Sequence, residues 1–178
     1  MPTWIALQRA VNVGARKYPM AELRAALLGA GYADVATHIQ TGNIRLSTPM
    51  RSAARIEAAL ERLFLADRGF EVPTIVMTPA ELVEVAEQAD EVIAEYGVPE
   101  FAHYVEIMRA PPSDDDRAVI EGVGYSGQRA VVRGRAVHLL FDVAFHEAKA
   151  PPAAVRKAYG VSTNRNVKVI RALARKWG

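Results

Sequence analysis

Two polar stretches carry the residue types most able to do chemistry. Gln40-Thr41-Gly42-Asn43 lies between the short apolar runs 35–39 and 44–46, and Arg9-Ala10-Val11-Asn12-Val13-Gly14 follows the first apolar run of the chain. Together they offer one guanidinium, three carboxamides and a hydroxyl, with no carboxylate. That set suits acceptance of an anion, phosphate by default, better than acid–base chemistry. The candidate ligand-binding residues are therefore Arg9, Asn12, Gly14, Gln40, Thr41, Gly42 and Asn43. A plainer reading stands beside this one, because Thr-Gly-Asn is ordinary hairpin-turn chemistry and Asn12 and Gly14 can serve only to shape a loop.

The elements that must position these residues follow from periodicity. A strand over 3–9 leads, after the loop, to a helix with Pro19 at its start, Met20, Leu23 and Leu27 on one face and Gly31 past its end. Residues 35–40 and 43–47 form a hairpin. Thr48-Pro49 reads as the cap of a second helix bearing Ile56, Leu60 and Phe64, and 71–77 is a strand whose Pro73 places it at a sheet edge. This β-α-β-β-α-β order is the split βαβ, or ferredoxin-like, unit, with sheet order 4-1-3-2. In that topology the end of the first strand, the tip of the hairpin and the N-terminus of the first helix emerge at one sheet edge. The helix adds unsatisfied N–H groups there.

The second half repeats the pattern. Thr78-Pro79-Ala80-Glu81 is a capping box with proline at the first helical position, opening a helix with an expected interruption near Asp90. Then come a strand over 103–108, a helix capped by Ser113, a turn over 122–127, a hairpin around Gly134, a short helix opened by Pro151-Pro152, and a last helix capped by Thr163. Only a very short fourth strand, around Val161, is expected. The fold class is α+β: two ferredoxin-like subdomains, residues 1–78 and 79–178, the second incomplete and extended by a C-terminal helix.

Residues 5–14, 20–24 and 39–43 resemble a bacterial family of unknown function, number 1697, whose opening reads Leu-Arg-Gly-Ile-Asn-Val-Gly and whose turn reads Gln-Ser-Gly-Asn. The resemblance implies two ferredoxin-like subdomains and no activity. Ala10 stands where the family has glycine. Near the C-terminus Arg165 and Asn166 match the family pattern and join the candidate ligand set, while Val167 replaces a tryptophan.

Other chemistries find little footing. The chain has no cysteine, which excludes disulfides, thiolate metal sites and cysteine nucleophiles. His38, His103, His138 and His146 are not at metal-ligand spacings, Asp114-Asp115-Asp116 reads as a helix start rather than a magnesium site, and Ser126 lacks the spacing of a nucleophile elbow. No phosphate loop or dinucleotide fingerprint follows a strand, and no cofactor is called for. The third strand carries no aromatic residue for stacking RNA bases. No run is long enough to cross a bilayer, and the expected location is the cytoplasm.

Charge is segregated: residues 1–78 carry 9 basic and 6 acidic side chains, 79–142 carry 5 and 13, and 143–178 carry 8 and 1. The basic tail is read first as neutralising the acidic middle, and second as a nucleic-acid contact. The functional expectation is a small module binding a phosphate-bearing or other anionic ligand. The alternatives are a group-transfer enzyme using the same pocket and a nucleic-acid-binding protein using the C-terminal helix.

Overall fold

The computed structural model describes all residues except 123–127, 145, 146 and 149. The turn expected over 122–127, Ser126 and His146 thus lie, apart from Gly122, outside the described residues. The elements are β1 (Thr3–Gln8), α1 (Met20–Gly29), β2 (Ala33–His38), β3 (Asn43–Ser47), α2 (Ala53–Arg68), β4 (Thr74–Met77), α3 (Pro79–Tyr96), β5 (Ala102–Met108), α4 (Asp114–Gly122), β6 (Gln128–Arg133), β7 (Ala136–Phe141), α5 (Ala153–Tyr159), β8 (Ser162–Asn166) and α6 (Val167–Trp177). They divide into one unit of Met1–Leu82 with Trp177–Gly178 and another of Val83–Lys176. Among the described residues no helix is long and apolar enough to cross a membrane.

The first unit has sheet order β2-β3-β1-β4, every neighbouring pair antiparallel. Alternation along the strands sends Trp4, Ala6, Ile44, Leu46 and Val76 to one face, where they meet Leu23 and Leu27 of α1 and Ile56, Leu60 and Phe64 of α2. Helix α2 starts later than its sequence suggests. The backbone N–H of Thr48 donates to Pro2 O, which keeps Thr48 with the sheet, and Ser52 is the cap, its hydroxyl accepting from Arg55 N.

β4 is an edge strand, as its preceding proline requires, and its outer N–H groups are taken up by a helix. Glu61 accepts from Thr74 N and Glu57 from Val76 N, each at 2.9 Å. Four helical residues rise ~6 Å and two strand residues span ~6.7 Å. Carboxylates at i and i+4 therefore reach alternate N–H groups and close the edge to pairing with another strand. Glu121 of α4 does the same for Val132 of the edge strand β6.

α3 opens with the expected capping box, Thr78 N donating to Glu81 and Glu81 N to the Thr78 hydroxyl. It continues through Asp90 without a break. The sheet order is β6-β7-β5-β8, so the second plait is complete rather than truncated. The segment read as the start of the last helix is instead a strand, paired with β5 from Tyr104↔Asn166 to Met108↔Ser162. The helix cap is Asn166, whose side-chain oxygen accepts from Lys168 N, and not Thr163. In the basic tail Arg171 pairs with Asp90 of α3, and Arg165 is buried, its guanidinium donating to the Thr163 hydroxyl and Asn164 O. Burial lowers its pKa to about 10.

β5 and β7 also bury a pair that linear spacing hides. His103 Nε2 and His138 Nδ1 lie 3.0 Å apart, with both rings almost wholly out of solvent. Burial lowers His103 to about 4, with Arg171 lowering it further and Asp90 opposing, and lowers His138 to about 3, helped by His103 and Arg133. An unfolded chain takes up protons on these histidines near pH 6.5, while the folded pair stays neutral until about pH 4. The unfolded state thus binds more protons in between, and stability falls as pH drops from about 6.5 toward 4, by at most ~1.4 kcal/mol per pH unit for each histidine. Urea unfolding at pH 7 and pH 5 should show this loss. The double replacement His103→Leu with His138→Leu should shrink the difference, and an undiminished pH dependence would show that other groups carry it.

Candidate functional site

The loop after β1 is built around one side chain. Asn12 accepts from Tyr18 N at 2.8 Å through Oδ1, while its Nδ2 donates to Tyr18 O at 3.0 Å and to Gln40 O at 2.8 Å. A single carboxamide thus ties the loop to itself, to the residues just before α1 and to the hairpin tip between β2 and β3. The tip has its own fastener. Asn43, fully buried, donates to His38 O at 3.0 Å and to the Thr41 hydroxyl at 2.9 Å. The end of β1 is held from both sides, Gln8 N by Gly42 O and Arg9 N by Pro73 O.

These connections put the backbone in uncommon conformations. Among the described residues four non-glycine residues have φ in the left-handed region, and three of them, Ala10 (52°), Asn12 (58°) and Ile39 (49°), lie in these two segments. For Ile39, β-branched and 46% exposed, this is a real outlier that local packing does not explain. Such strain persists where surrounding structure over-determines it, and it concentrates at binding and switch regions. Gly14 (57°) and Gly42 (74°) complete the set. At Gly42 a Cβ would stand 2.5 Å from Gln8 Oε1 and 2.7 Å from Gln8 Cβ. The strand fixes that Cβ, so the clash cannot be relieved by swinging a side chain. Gln8, fully buried, and Ile39 are the members of this arrangement that the sequence reading passes over. Both look like ordinary strand residues until the turn is built.

The nine candidate residues therefore divide. Asn12, Gly42 and Asn43 are engaged in holding the loops. Arg9, Gly14, Gln40 and Thr41 are exposed, and the side chains of Arg9 and Gln40 make no hydrogen bond or ion pair among the described residues. No acceptor among the described residues takes the N–H of Ala10, Gly14 or Ala15, which are also exposed. The segment 9–19 carries Arg9, Arg16 and Lys17 and no acid, and 38–43 has no acid. Arg16 is anchored by donating to Glu71 O and stacking on Phe70. Arg165 and Asn166 belong to β8 in the other unit.

The model of a family described as proteins of unknown function (DUF1697) matches residues 1–138. The chain belongs to the DUF1697 family. The matched region contains both loops and stops short of Arg165 and Asn166. Val167, where the resemblance expects tryptophan, is buried at the start of α6. Among solved structures, the conserved bacterial protein SP0830 from Streptococcus pneumoniae is similar with a TM-score of 0.69 and 20% identity, covering 99% of this chain and 98% of that one. That likeness shows the fold. A search of curated proteins returns no match.

Left-handed alanine costs about 1–2 kcal/mol, part of which glycine returns through its freer unfolded chain. Ala10→Gly should therefore raise the thermal midpoint of this DUF1697 chain by up to about 4 °C. Gly42→Ala should lower stability by about 2 kcal/mol or more, since it adds both the backbone strain and the overlap with Gln8. Calorimetry on the two variants checks both signs, and an unchanged midpoint for Gly42→Ala would mean that the hairpin does not close over Gln8 as described.

Proposed function

We propose that this protein is a small binding module that takes a phosphate-bearing or other anionic ligand at the edge formed by the loop after β1 and the β2–β3 hairpin. The observation that carries the reading is the unpartnered, exposed guanidinium of Arg9 in a segment whose backbone N–H groups at Ala10, Gly14 and Ala15 have no acceptor among the described residues, the 9–19 segment being rich in positive charge and both it and 38–43 free of carboxylates. Oriented N–H groups in tight loops make anion-binding concavities. A guanidinium adds two parallel donors that match phosphate oxygens, and Gln40 and Thr41 supply neutral polar groups at the rim. The scaffold for them is fixed in advance by Asn12 and Asn43, so little ordering is required on binding.

The absence of a carboxylate within either segment favours binding over carboxylate-based acid–base turnover. A tail-mediated nucleic-acid contact has less support, since Arg165 is buried and Arg171 is paired with Asp90.

Inorganic phosphate and a panel of nucleotides, compared with chloride at equal ionic strength, should raise the thermal midpoint. The double variant Arg9→Ala with Gln40→Ala should bind at least ~10-fold more weakly, as expected for loss of a charge-assisted contact of about 1.5–3 kcal/mol. Arg51→Ala, which removes an exposed arginine outside both loops, should bind like the parent chain. Equal binding by the Arg9/Gln40 variant would place the site elsewhere.

A further inference from the structure

The first unit contains a cavity of about 410 Å³ where the turn between α1 and β2, the connection from β3 to α2 and one face of α2 meet. Tyr32 forms one wall, Pro49 and Met50 a second, and Ala59 and Leu63 of α2 a third. These walls are tied to the structure around them. Tyr32 N donates to Leu27 O, Thr48 N to Pro2 O, and the Trp4 indole to Met50 O. The cavity therefore cannot collapse without breaking hydrogen bonds that the fold already makes.

Two polar groups stand at this apolar space without hydrogen-bond partners. Tyr32 is buried, and its hydroxyl takes part in no hydrogen bond among the described residues. Arg62 is exposed and makes no hydrogen bond or ion pair through its side chain among the described residues. The sequence explains the second case. Positions three and four residues to either side of Arg62 hold Ala58, Ala59, Leu65 and Ala66, so no acid stands at helical pairing distance. The acids of α2 are committed elsewhere, Glu57 and Glu61 to N–H groups of β4 and Asp67 to Arg68. Arg62 lies one turn after Ala59, on the part of α2 that lines the cavity. Its charge is felt at the Tyr32 hydroxyl, where it opposes the larger rise in pKa that burial gives the phenol. Because the net shift is upward, the phenol at neutral pH is a neutral donor and leaves the guanidinium charge unmatched.

We infer that this cavity binds a small carboxylic acid with an apolar body, its carboxylate held by the Arg62 guanidinium and the Tyr32 hydroxyl and its body against Pro49, Met50, Ala59 and Leu63. A carboxylate accepts two parallel N–H bonds from a guanidinium and keeps lone pairs for the phenol. An alcohol of the same shape brings no charge, and an amine is repelled. The volume, with many apolar walls and few polar groups, is that of small-molecule sites. The site shares no residue with the anion-accepting edge, and neither reading rests on the other.

The test uses the full chain and three probes of similar shape, 3-phenylpropanoate, 3-phenylpropanol and 3-phenylpropylamine, titrated at matched ionic strength and followed by amide-shift NMR. The propanoate should bind saturably, with shifts centred on Gly31, Tyr32, Met50 and Leu63, and the alcohol at least ~10-fold more weakly. The amine should not bind. Arg62→Gln, at an exposed helix position where folding is not at risk, should weaken the propanoate at least ~10-fold while leaving the alcohol unchanged. Tyr32→Phe removes only the hydroxyl and should weaken the propanoate ~5-fold. Ala59→Leu puts a larger side chain into the cavity and should block both propanoate and alcohol without altering the circular dichroism of the chain. Absence of saturable propanoate binding up to ~10 mM, equal affinity for propanoate and alcohol, undiminished propanoate binding by any of these variants, or shifts centred outside the cavity would overturn the inference.

Discussion

The carboxamide of Asn12 makes three hydrogen bonds to main-chain groups, and the shape of the candidate edge depends on them. One partner lies across a gap of 28 residues at Gln40, and the other two lie on Tyr18, two residues before α1 begins. Without it the loop after β1 would be a flexible connection. With it, the loop, the hairpin tip and the start of the helix move as one body, and the side chains of Arg9 and Gln40 are displayed from a fixed frame. A local polar group competing for backbone partners normally weakens secondary structure. Here it acts between elements, where no ladder exists to disrupt.

That frame is held under strain. Left-handed φ at Ala10, Asn12 and Ile39, and the close approach of Gly42 to Gln8, place several unfavourable terms in two short segments. Tight core packing beneath them, with Tyr18, Leu23, Ile44 and Phe64 all fully buried, supplies what holds the segments in place. The consequence is a rigid rim whose exposed N–H groups are not free to turn inward and find acceptors. The helix carboxylates Glu57 and Glu61 serve the fold in a related way at β4, satisfying edge N–H groups that would otherwise pair with another chain.

Much of this was legible in the sequence, for identifiable reasons. Apolar alternation and proline placement sufficed for the sheet order of the first unit, because each strand there has a buried face and each helix a clear stop. The capping box at Thr78 and the hairpin around Gly134 are equally local signals. β8 was not legible. Ser162-Thr163-Asn164-Arg165-Asn166 is polar throughout, and its place in the sheet is stabilised by pairing with β5 and by partners such as Glu106 that lie far away in the chain. Thr48 lost its cap role to Ser52 because a sheet hydrogen bond to Pro2 held it back. His103 and His138, 35 residues apart, meet only through strand pairing. For the edge itself, chain direction predicted that the two loops emerge together, but residue type alone could not separate the asparagines that build the frame from the arginine and glutamine that it displays.

The central claim is that this rim accepts an anion. Amide-shift NMR during a titration with inorganic phosphate, against chloride at matched ionic strength, addresses it most directly. Saturable shifts should centre on Ala10, Gly14 and Ala15 and on the side chains of Arg9 and Gln40, and should vanish with Arg9→Ala. Shifts that grow linearly with ionic strength, or that centre on residues outside these two segments, would contradict the account.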